Sequence, residues 1–476
     1  MGTSERPPDN QWRKQWEEQK RQLEKELERA LRENERLWKE NERLREQLEA
    51  ALRAAKRQAA PHSRGQPKAH PQKPGRKAGR DYGRQACRAK PRRVDEQIAV
   101  PLPPRCLHCG GAVEFQRTER QYQEEIVRRT LVRRFDIAMG RCGSCGRRVQ
   151  GRHRLQTSDA VGVGGVQLGP EALSLAAELN KRMGLSLGHT QQVLELGFRL
   201  RVSRAGLCRA LARLAGQCAP TYQALLGAAR QNPVNGMDET GWKVGGRLAW
   251  LHVAVSAGVT VYAILPGRGF EQSAALLGAD YEGFLVHDGW APYYKFERAW
   301  HQSCVAHLLR RCRDMAQVAY PVAAGFPLAV GAVLERGLLL RDRYEQAEIS
   351  GHGLATAAGR LEALLDWLLE KPYRNQSNRR LAQHLWRERP WLFSFLHYPG
   401  LPATNNEAER AIRGFVIARK VWGGNRTWRG DRAQQILASV LRTCHQQQKD
   451  GLVCLVRLLR ARSRLVLDIV PSSRSP

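Results

Sequence analysis

No uninterrupted apolar run in this 476-residue chain approaches the roughly 18–20 residues that a helix needs to cross a bilayer. The opening residues, Met-Gly-Thr-Ser-Glu-Arg-Pro-Pro, lack the apolar core of a secretory signal. These two absences predict an intracellular protein with no membrane partner. Acidic residues are also scarce: 46 Asp and Glu face 78 Lys and Arg, for a net charge of +32 and a pI near 10.4. So large an excess points to a polyanionic partner, because Lys and Arg gain affinity by releasing condensed counterions from a nucleic acid. In an intracellular setting the eleven cysteines read as thiols or metal ligands rather than disulfides. The length is several domains' worth, and the fold class expected is multidomain α/β.

Residues 11–58 are almost all Glu, Lys, Arg, Gln, Leu and Ala, the composition of a long helix. Trp16, Leu23, Ala30, Leu37, Leu44 and Ala51 recur every seven residues, and the matching positions of the other apolar row hold Leu27, Asn34, Asn41, Leu48 and Ala55. Asn in that row favours an in-register, two-stranded coiled coil, so the segment predicts a homodimer. Residues 60–93 carry eleven Lys or Arg against one acid, Asp81, among prolines and glycines. Such a stretch cannot bury a core and reads as a disordered basic linker. Within it Arg76, Lys77 and Arg80 are candidates for a minor groove or, more generically, for phosphates.

Cys106-Leu-His-Cys109 and Cys142-Gly-Ser-Cys145 are two CxxC knuckles, each followed by Gly. Four thiolates on two tight turns suit one closed, structural Zn²⁺, within a zinc-binding domain over residues 94–155. The stretch between them, including residues 121–127, alternates like strands. Residues 160–230 read as a helical helix-turn-helix region. One helix covers residues 188–196, a turn falls around Gly197, and Ser203 caps a second helix over 203–214. There Leu207, Leu211 and Leu214 form a buried stripe, with Arg209 and Arg213 projecting from the other side toward DNA.

After Asn232 the pattern turns to strands, over residues 247–255 and 259–265 with a hairpin break between them, then a helix around 271–277. Three acids stand out on this background. Asp238 closes the run Pro-Val-Asn-Gly-Met-Asp, Asp288 follows the apolar strand 283–287, and Glu409 lies on a helix for which Thr404 is the expected cap. Two acids at strand ends and one on a distant helix can converge to hold a pair of divalent ions, and such oxygen ligands suit Mg²⁺ or Mn²⁺. The order of elements predicts an RNase H-like core over residues 231–445 with a helical insertion at about 305–400. Asn405, Glu409 and Arg413 are spaced by four and share a helix face. Glu407 points away from them and is expected to pair with Arg410. Glu239 falls on the opposite side of its strand from Asp238. Residues 446–476 read as a C-terminal helix and tail.

The strings Met237-Asp-Glu-Thr-Gly-Trp242, His287-Asp-Gly-Trp-Ala-Pro-Tyr293, Cys304-Val-Ala-His307 and Thr404-Asn-Asn-Glu-Ala-Glu-Arg-Ala-Ile-Arg413, with Arg419 and Lys420, resemble the insertion sequence sixty-six transposases of the TnpC type. The resemblance spans nearly the whole chain. It implies a DDE transposase that binds the ends of its own element and carries out metal-dependent strand cleavage and strand transfer, with Asp238, Asp288 and Glu409 as ligands of two Mg²⁺. The implied partners are double-stranded DNA, as element ends and target, and accessory proteins of the same element. The implied setting is a prokaryotic cytoplasm, in association with the nucleoid. Cys304, His307 and Asn405 would position the core, while Arg413, Arg419 and Lys420 would contact DNA. Two alternatives share these features: a dimeric DNA-binding regulator with an inactive core, and a metal-dependent nuclease without strand transfer.

Overall fold

The computed structural model describes residues 9–57, 89–127, 130–461 and 463–471. Arg76, Lys77, Arg80 and most of the basic linker lie outside them. The chain divides into two compact units: Ala59–Leu131, and Met1–Gln58 together with Val132–Pro476.

In the first unit the Cys106 knuckle is a closed turn. The Gly110 amide donates to the Cys106 carbonyl at 2.8 Å and the Cys106 amide to the Gly111 carbonyl at 2.9 Å. Gly110 takes a φ of 74°, open to glycine at no steric cost. The strand-like alternation at residues 121–127 is not expressed as a strand. Ile126 and Val127 stay exposed, so the alternation has no apolar layer to pack against, which is what gives a half-buried strand its stability.

The second unit opens with one continuous helix, α1 (Asp9–Arg57). Trp16, Leu23, Leu27, Leu37, Leu44 and Leu48 all remain exposed along it. Next come two short antiparallel strands, β1 (Met139–Arg141) and β2 (Arg148–Gln150), which bracket the second knuckle. That knuckle repeats the first: the Gly146 amide donates to the Cys142 carbonyl, the Cys142 amide to the Arg147 carbonyl, and Gly146 has a φ of 68°.

Helices α2 (Pro170–Ala177), α3 (Leu187–Phe198) and α4 (Arg204–Gln231) follow. The turn between α3 and α4 falls later than expected, at Arg199, whose left-handed φ of 55° ends α3. Ser203 does cap α4, accepting from the Gly206 amide at 3.0 Å. Leu207, Leu211 and Leu214 are buried, whereas Arg209 and Arg213 are exposed.

The central sheet then forms from β3 (Val234–Val244), β4 (Arg247–Ser256) and β5 (Val259–Leu265), α5 (Phe270–Leu277), β6 (Phe284–His287) and β7 (Trp300–Ser303). Its strand order is β5-β4-β3-β6-β7. The first three strands are antiparallel, and β6 and β7 join in parallel. Asp238 therefore sits in the middle of a long strand, not at its end. The Asn235-Gly236 pair is extended within β3, and each residue has a partner off the sheet. The Asn235 amide group donates to the Ala229 carbonyl and to the Tyr281 hydroxyl. A Cβ on Gly236 would lie 2.6 Å from Asn405 Oδ1.

From β7 the chain enters α6 (Val305–Val318), α7 (Pro321–Glu345), α8 (Gly351–Glu370), α9 (Gln376–Glu388) and α10 (Ser394–His397), the expected helical insertion. Helix α7 is the one helix among the described residues long and apolar enough to span a membrane by length and composition. Interruption by Glu335 and Arg336 hid this in the sequence. Its Phe326, Val330, Val333 and Leu334 pack into the insertion's own core with α6, α8 and α9, the environment of an ordinary core helix. The Arg45 guanidinium of α1 lies over the Tyr320 ring at 4.6 Å.

The chain returns through α11 (Asn406–Trp422), α12 (Trp428–Gln446) and α13 (Gly451–Arg460). One face of the sheet packs on α11, through Trp242, Val253, Tyr262, Ile412 and Phe415. The other face packs on α4, α5 and α12. Strand β5 is an edge whose outward amides would otherwise be open to another strand. Helix α12 closes it: Thr443, Ser439 and Gln435 accept from the Thr260, Tyr262 and Ile264 amides at 3.1, 2.9 and 3.0 Å. Their spacing of four puts all three on one helix face. The final stretch is only partly helical. Residues 463–471 run irregularly, burying Leu467 and Ile469.

Candidate active site

Strand β3 pairs with β6 over three residues only, from Val234 against Phe284 to Gly236 against Val286. Beyond that register β6 ends, and the side of β3 that faced it opens. Asp238 lies two residues past the last pair on β3, and Asp288 follows the last residue of β6. Alternation along β3 puts Asp238 on the face that carries Trp242 and Val244, the face covered by α11. Glu409 stands on the first turn of α11.

Asp238 lies near enough to the other two acids to feel their charge. Burial, then the charge of Glu239, and further those of Asp288 and Glu409, push the Asp238 carboxyl up from 3.8 to about 7. The loop after β6 is fixed by Gly289, with a φ of 86°, by the Trp290 amide donating to Asp288 Oδ1 at 3.0 Å, and by the Gly289 amide donating to His287 Nδ1 at 3.0 Å. Glu409 Oε1 is buried and accepts no hydrogen bond among the described residues. Its nearest basic neighbours are His307 Nε2 at 3.3 Å and Arg310 Nη2, 3.8 Å from Oε2. Half-buried carboxylates, one with an unfilled oxygen, fit a hard divalent cation. Asp238, Asp288 and Glu409 are the residues that could hold it.

Asn405 ties the acid-bearing elements together. Its Nδ2 donates to the Met237 carbonyl at 2.6 Å, and its backbone amide donates to Cys304 Sγ at 3.2 Å. This explains why Thr404 is not the cap of α11: Asn405 occupies that position, and its side chain is spent on β3. Glu407 is exposed as expected, but it makes no ion pair with Arg410 among the described residues. Its carboxylate stays in water, where such a pair gains little.

Sequence reasoning missed a second layer around the acids. Glu239, on the far face of β3, is buried and ion-paired with Arg268 at 2.7 Å, and it accepts from the Tyr293 hydroxyl. The Arg268 guanidinium lies over Trp290 at 4.0 Å and over Trp250 at 4.8 Å. This clamp joins the strand of Asp238 to the loop of Asp288. Glu388, at the end of α9, is likewise buried and accepts from Tyr294 and Ser303. Its neighbourhood reaches Asp288, whose charge, added to burial, raises the Glu388 carboxyl. Adjacency to Asp238 was the one signal for Glu239. Glu388 had none, lying in an arginine-rich helix of surface-like composition.

The model of the family described as Transposase IS66 family matches residues 165–433, more than half of the chain. The protein belongs to the IS66 transposase family. It is accordingly a transposase, an enzyme class that acts on DNA and uses divalent metal. The match encloses α2 to α11, hence all three acids of this transposase, and leaves α1 and both cysteine knuckles outside. A search of curated proteins found no significant match. Of the transposase's basic residues near the site, Arg413 and Lys420 are exposed. Arg419 is turned back onto β3, donating to the Gly241 carbonyl.

Proposed function

We propose that this transposase binds the ends of its insertion sequence and cleaves and joins DNA strands at a DDE site made of Asp238, Asp288 and Glu409. The observation that supports the reading is that the charges of Asp288, at the end of β6, and Glu409, on α11, reach Asp238 on β3. The sheet order, with three antiparallel strands and two parallel ones flanked by helices, supports an RNase H-like core over residues 231–445.

Two Mg²⁺ or Mn²⁺ ions bound by these carboxylates would supply Lewis-acid activation of the attacking oxygen and stabilise the leaving one. The chain's own residues set the geometry. Asn405 holds α11 against β3, the Glu239–Arg268–Trp290 clamp fixes the Asp288 loop, and Cys304 and His307 position Glu409 from α6. The reaction has two displacements. Water attacks a phosphodiester at the element end and frees a 3′-hydroxyl. That hydroxyl then attacks a target phosphodiester, releasing the target's own 3′-hydroxyl as the leaving group.

The remaining modules take DNA-handling roles in this reading. The exposed leucine rows of α1 pair two subunits as a coiled coil. The knuckle of Cys106 and Cys109 and that of Cys142 and Cys145 supply thiolates for structural Zn²⁺. The backbone amides around each knuckle lower its first thiol, those of His108 and Cys109 at Cys106 and those of Cys145 and Ser144 at Cys142, as thiolate ligation requires. The α3–α4 pair, with Arg209 and Arg213, acts as a helix-turn-helix, and Arg76, Lys77, Arg80, Arg413 and Lys420 contact the DNA backbone, while Arg419 braces β3.

The test is cleavage and joining of DNA carrying the element's ends in Mg²⁺, comparing the native chain with Asp288→Ala. Nicked and joined products that vanish in the variant support the reading. Nicking without joined products favours a nuclease. Tight binding with no cleavage, even with the element's accessory proteins added, favours a regulator.

A further inference from the structure

Cys304, His307 and Glu409 present a sulfur, a nitrogen and an oxygen that lie within 4.8 Å of one another. Cys304 is the residue that precedes α6, His307 lies in the first turn of that helix, and Glu409 comes from the first turn of α11. We propose that these three side chains form a binding site for a divalent cation of the zinc class, chemically distinct from a magnesium site.

Three observations favour a metal over plain packing. First, His307 Nε2 and Glu409 Oε1 are 3.3 Å apart. That is beyond the usual N–H···O range, but it matches two ligands each about 2.0–2.1 Å from one tetrahedral ion, which stand about 3.3 Å apart. Second, Glu409 Oε1 is buried with no hydrogen-bond partner among the described residues, a costly state for an oxygen that binds protons or cations. Third, Cys304 is 1% exposed, and its sulfur accepts from the Asn405 amide at 3.2 Å, a polar contact of the kind that supports a metal-bound sulfur.

Thiolate and imidazole are poor magnesium ligands and good zinc ligands, so the mixed set discriminates between the two ions. Three protein ligands also leave a fourth position open. One consequence rests on the function proposed above: if Glu409 serves the magnesium site, it cannot serve both, and a zinc-class ion would compete with Mg²⁺. The site itself does not depend on that reading.

The test is titration of the full-length protein with Co²⁺, a coloured stand-in for Zn²⁺, read by absorption and by bound equivalents. The native chain is compared with Cys304→Ser, His307→Gln and Glu409→Gln. The four knuckle cysteines are common to all and cancel in the difference. The native chain should bind one further equivalent, with a thiolate charge-transfer band absent from Cys304→Ser. His307→Gln and Glu409→Gln should weaken that equivalent by about tenfold or more, since even outer-sphere partners are worth 10–100-fold. Circular dichroism identifies a variant that fails to fold. The two partly exposed positions, His307 and Glu409, keep the test informative if Cys304→Ser does not fold. Equal stoichiometry and identical spectra for the native chain, His307→Gln and Glu409→Gln would overturn the proposal. Cobalt bound at this site but indifferent to added Mg²⁺ would leave the site standing and refute Glu409 as a magnesium ligand.

Discussion

Replacing Asp238 by Asn asks whether the carboxylates form a cation site. In the metal-free protein the Asp238 carboxyl rises from 3.8 to about 7, first through burial and then through the charge of Glu239, with further contributions from Asp288 and Glu409. Each pH unit of such a shift is worth about 1.4 kcal/mol, so the ceiling on the penalty is about 4 kcal/mol. A raised carboxyl means that the folded state keeps its proton longer than the unfolded chain. Stability is therefore lost as pH climbs from about 4 to about 7, and the whole penalty is present above 7. Asn has a similar shape and no charge to bury. Without divalent metal, Asp238→Asn should match the native chain near pH 4 and exceed it by up to about 4 kcal/mol at pH 8. Adding Mg²⁺ should raise the native melting temperature more at pH 8 than at pH 5.5, and should barely move the variant. Thermal denaturation of both chains across this pH range, with and without Mg²⁺, reads all four limbs. Parallel pH curves for the two chains without metal would refute the reasoning, because the penalty would then not come from Asp238.

Asn405→Ala removes the tie between α11 and the Met237 carbonyl and strands a buried acceptor, so it should cost roughly 1–3 kcal/mol. In the cleavage assay it should lower turnover while leaving affinity for DNA unchanged. Glu239→Ala leaves Arg268 unpaired between two tryptophans. Since that guanidinium is about a third exposed, the loss should be roughly 2–4 kcal/mol, below the full cost at a wholly buried pair, and measurable by urea denaturation. Ser439→Ala uncovers the Tyr262 amide on the edge strand and should cost about 1–3 kcal/mol, with aggregation on heating followed by light scattering. If α1 pairs subunits as proposed, Leu37→Glu combined with Leu44→Glu places charge in its apolar row and should leave a monomer where the native chain sediments as a dimer in analytical ultracentrifugation, without lowering the melting temperature of the core.

What the sequence disclosed depended on whether a residue's partners were local. The long helix of α1, the Ser203 cap, the stripe of Leu207, Leu211 and Leu214, and the β4–β5 hairpin rest on periodicity or near neighbours, and they appear where expected. The mid-strand position of Asp238 was obscured because Asn235 and Gly236 take their conformation from Tyr281 and Asn405, which are far away in sequence. Thr404 was the natural cap by local rules, and it lost that role to Asn405 because β3 offers a carbonyl 168 residues earlier in the chain. The Glu239–Arg268 clamp and Glu388 are long-range in the same way, each a polar side chain whose burial no local pattern announces.

The helical insertion shows how such distant partners become reliable neighbours. Its two ends are pinned together: the Val305 amide donates to the Ala403 carbonyl at 3.0 Å, and the Asn405 amide donates to Cys304 Sγ across 101 residues. The insertion has its own apolar core, into which Val286 of the sheet projects, so α6 to α10 can fold as a body without stretching the strands around them. Once the ends are closed, lengthening such a loop adds little further entropy cost. The geometry of Glu409 against Asp288 then depends on the closure and not on the insertion's length. The same closure makes the insertion part of the site, because His307 at its start, Glu388 near its end and Asn405 just past it all act within reach of the three acids. A change in the insertion's core can therefore reach the chemistry by loosening that closure at the Val305–Ala403 and Cys304–Asn405 contacts, or by shifting Glu388, which accepts from Ser303 on β7.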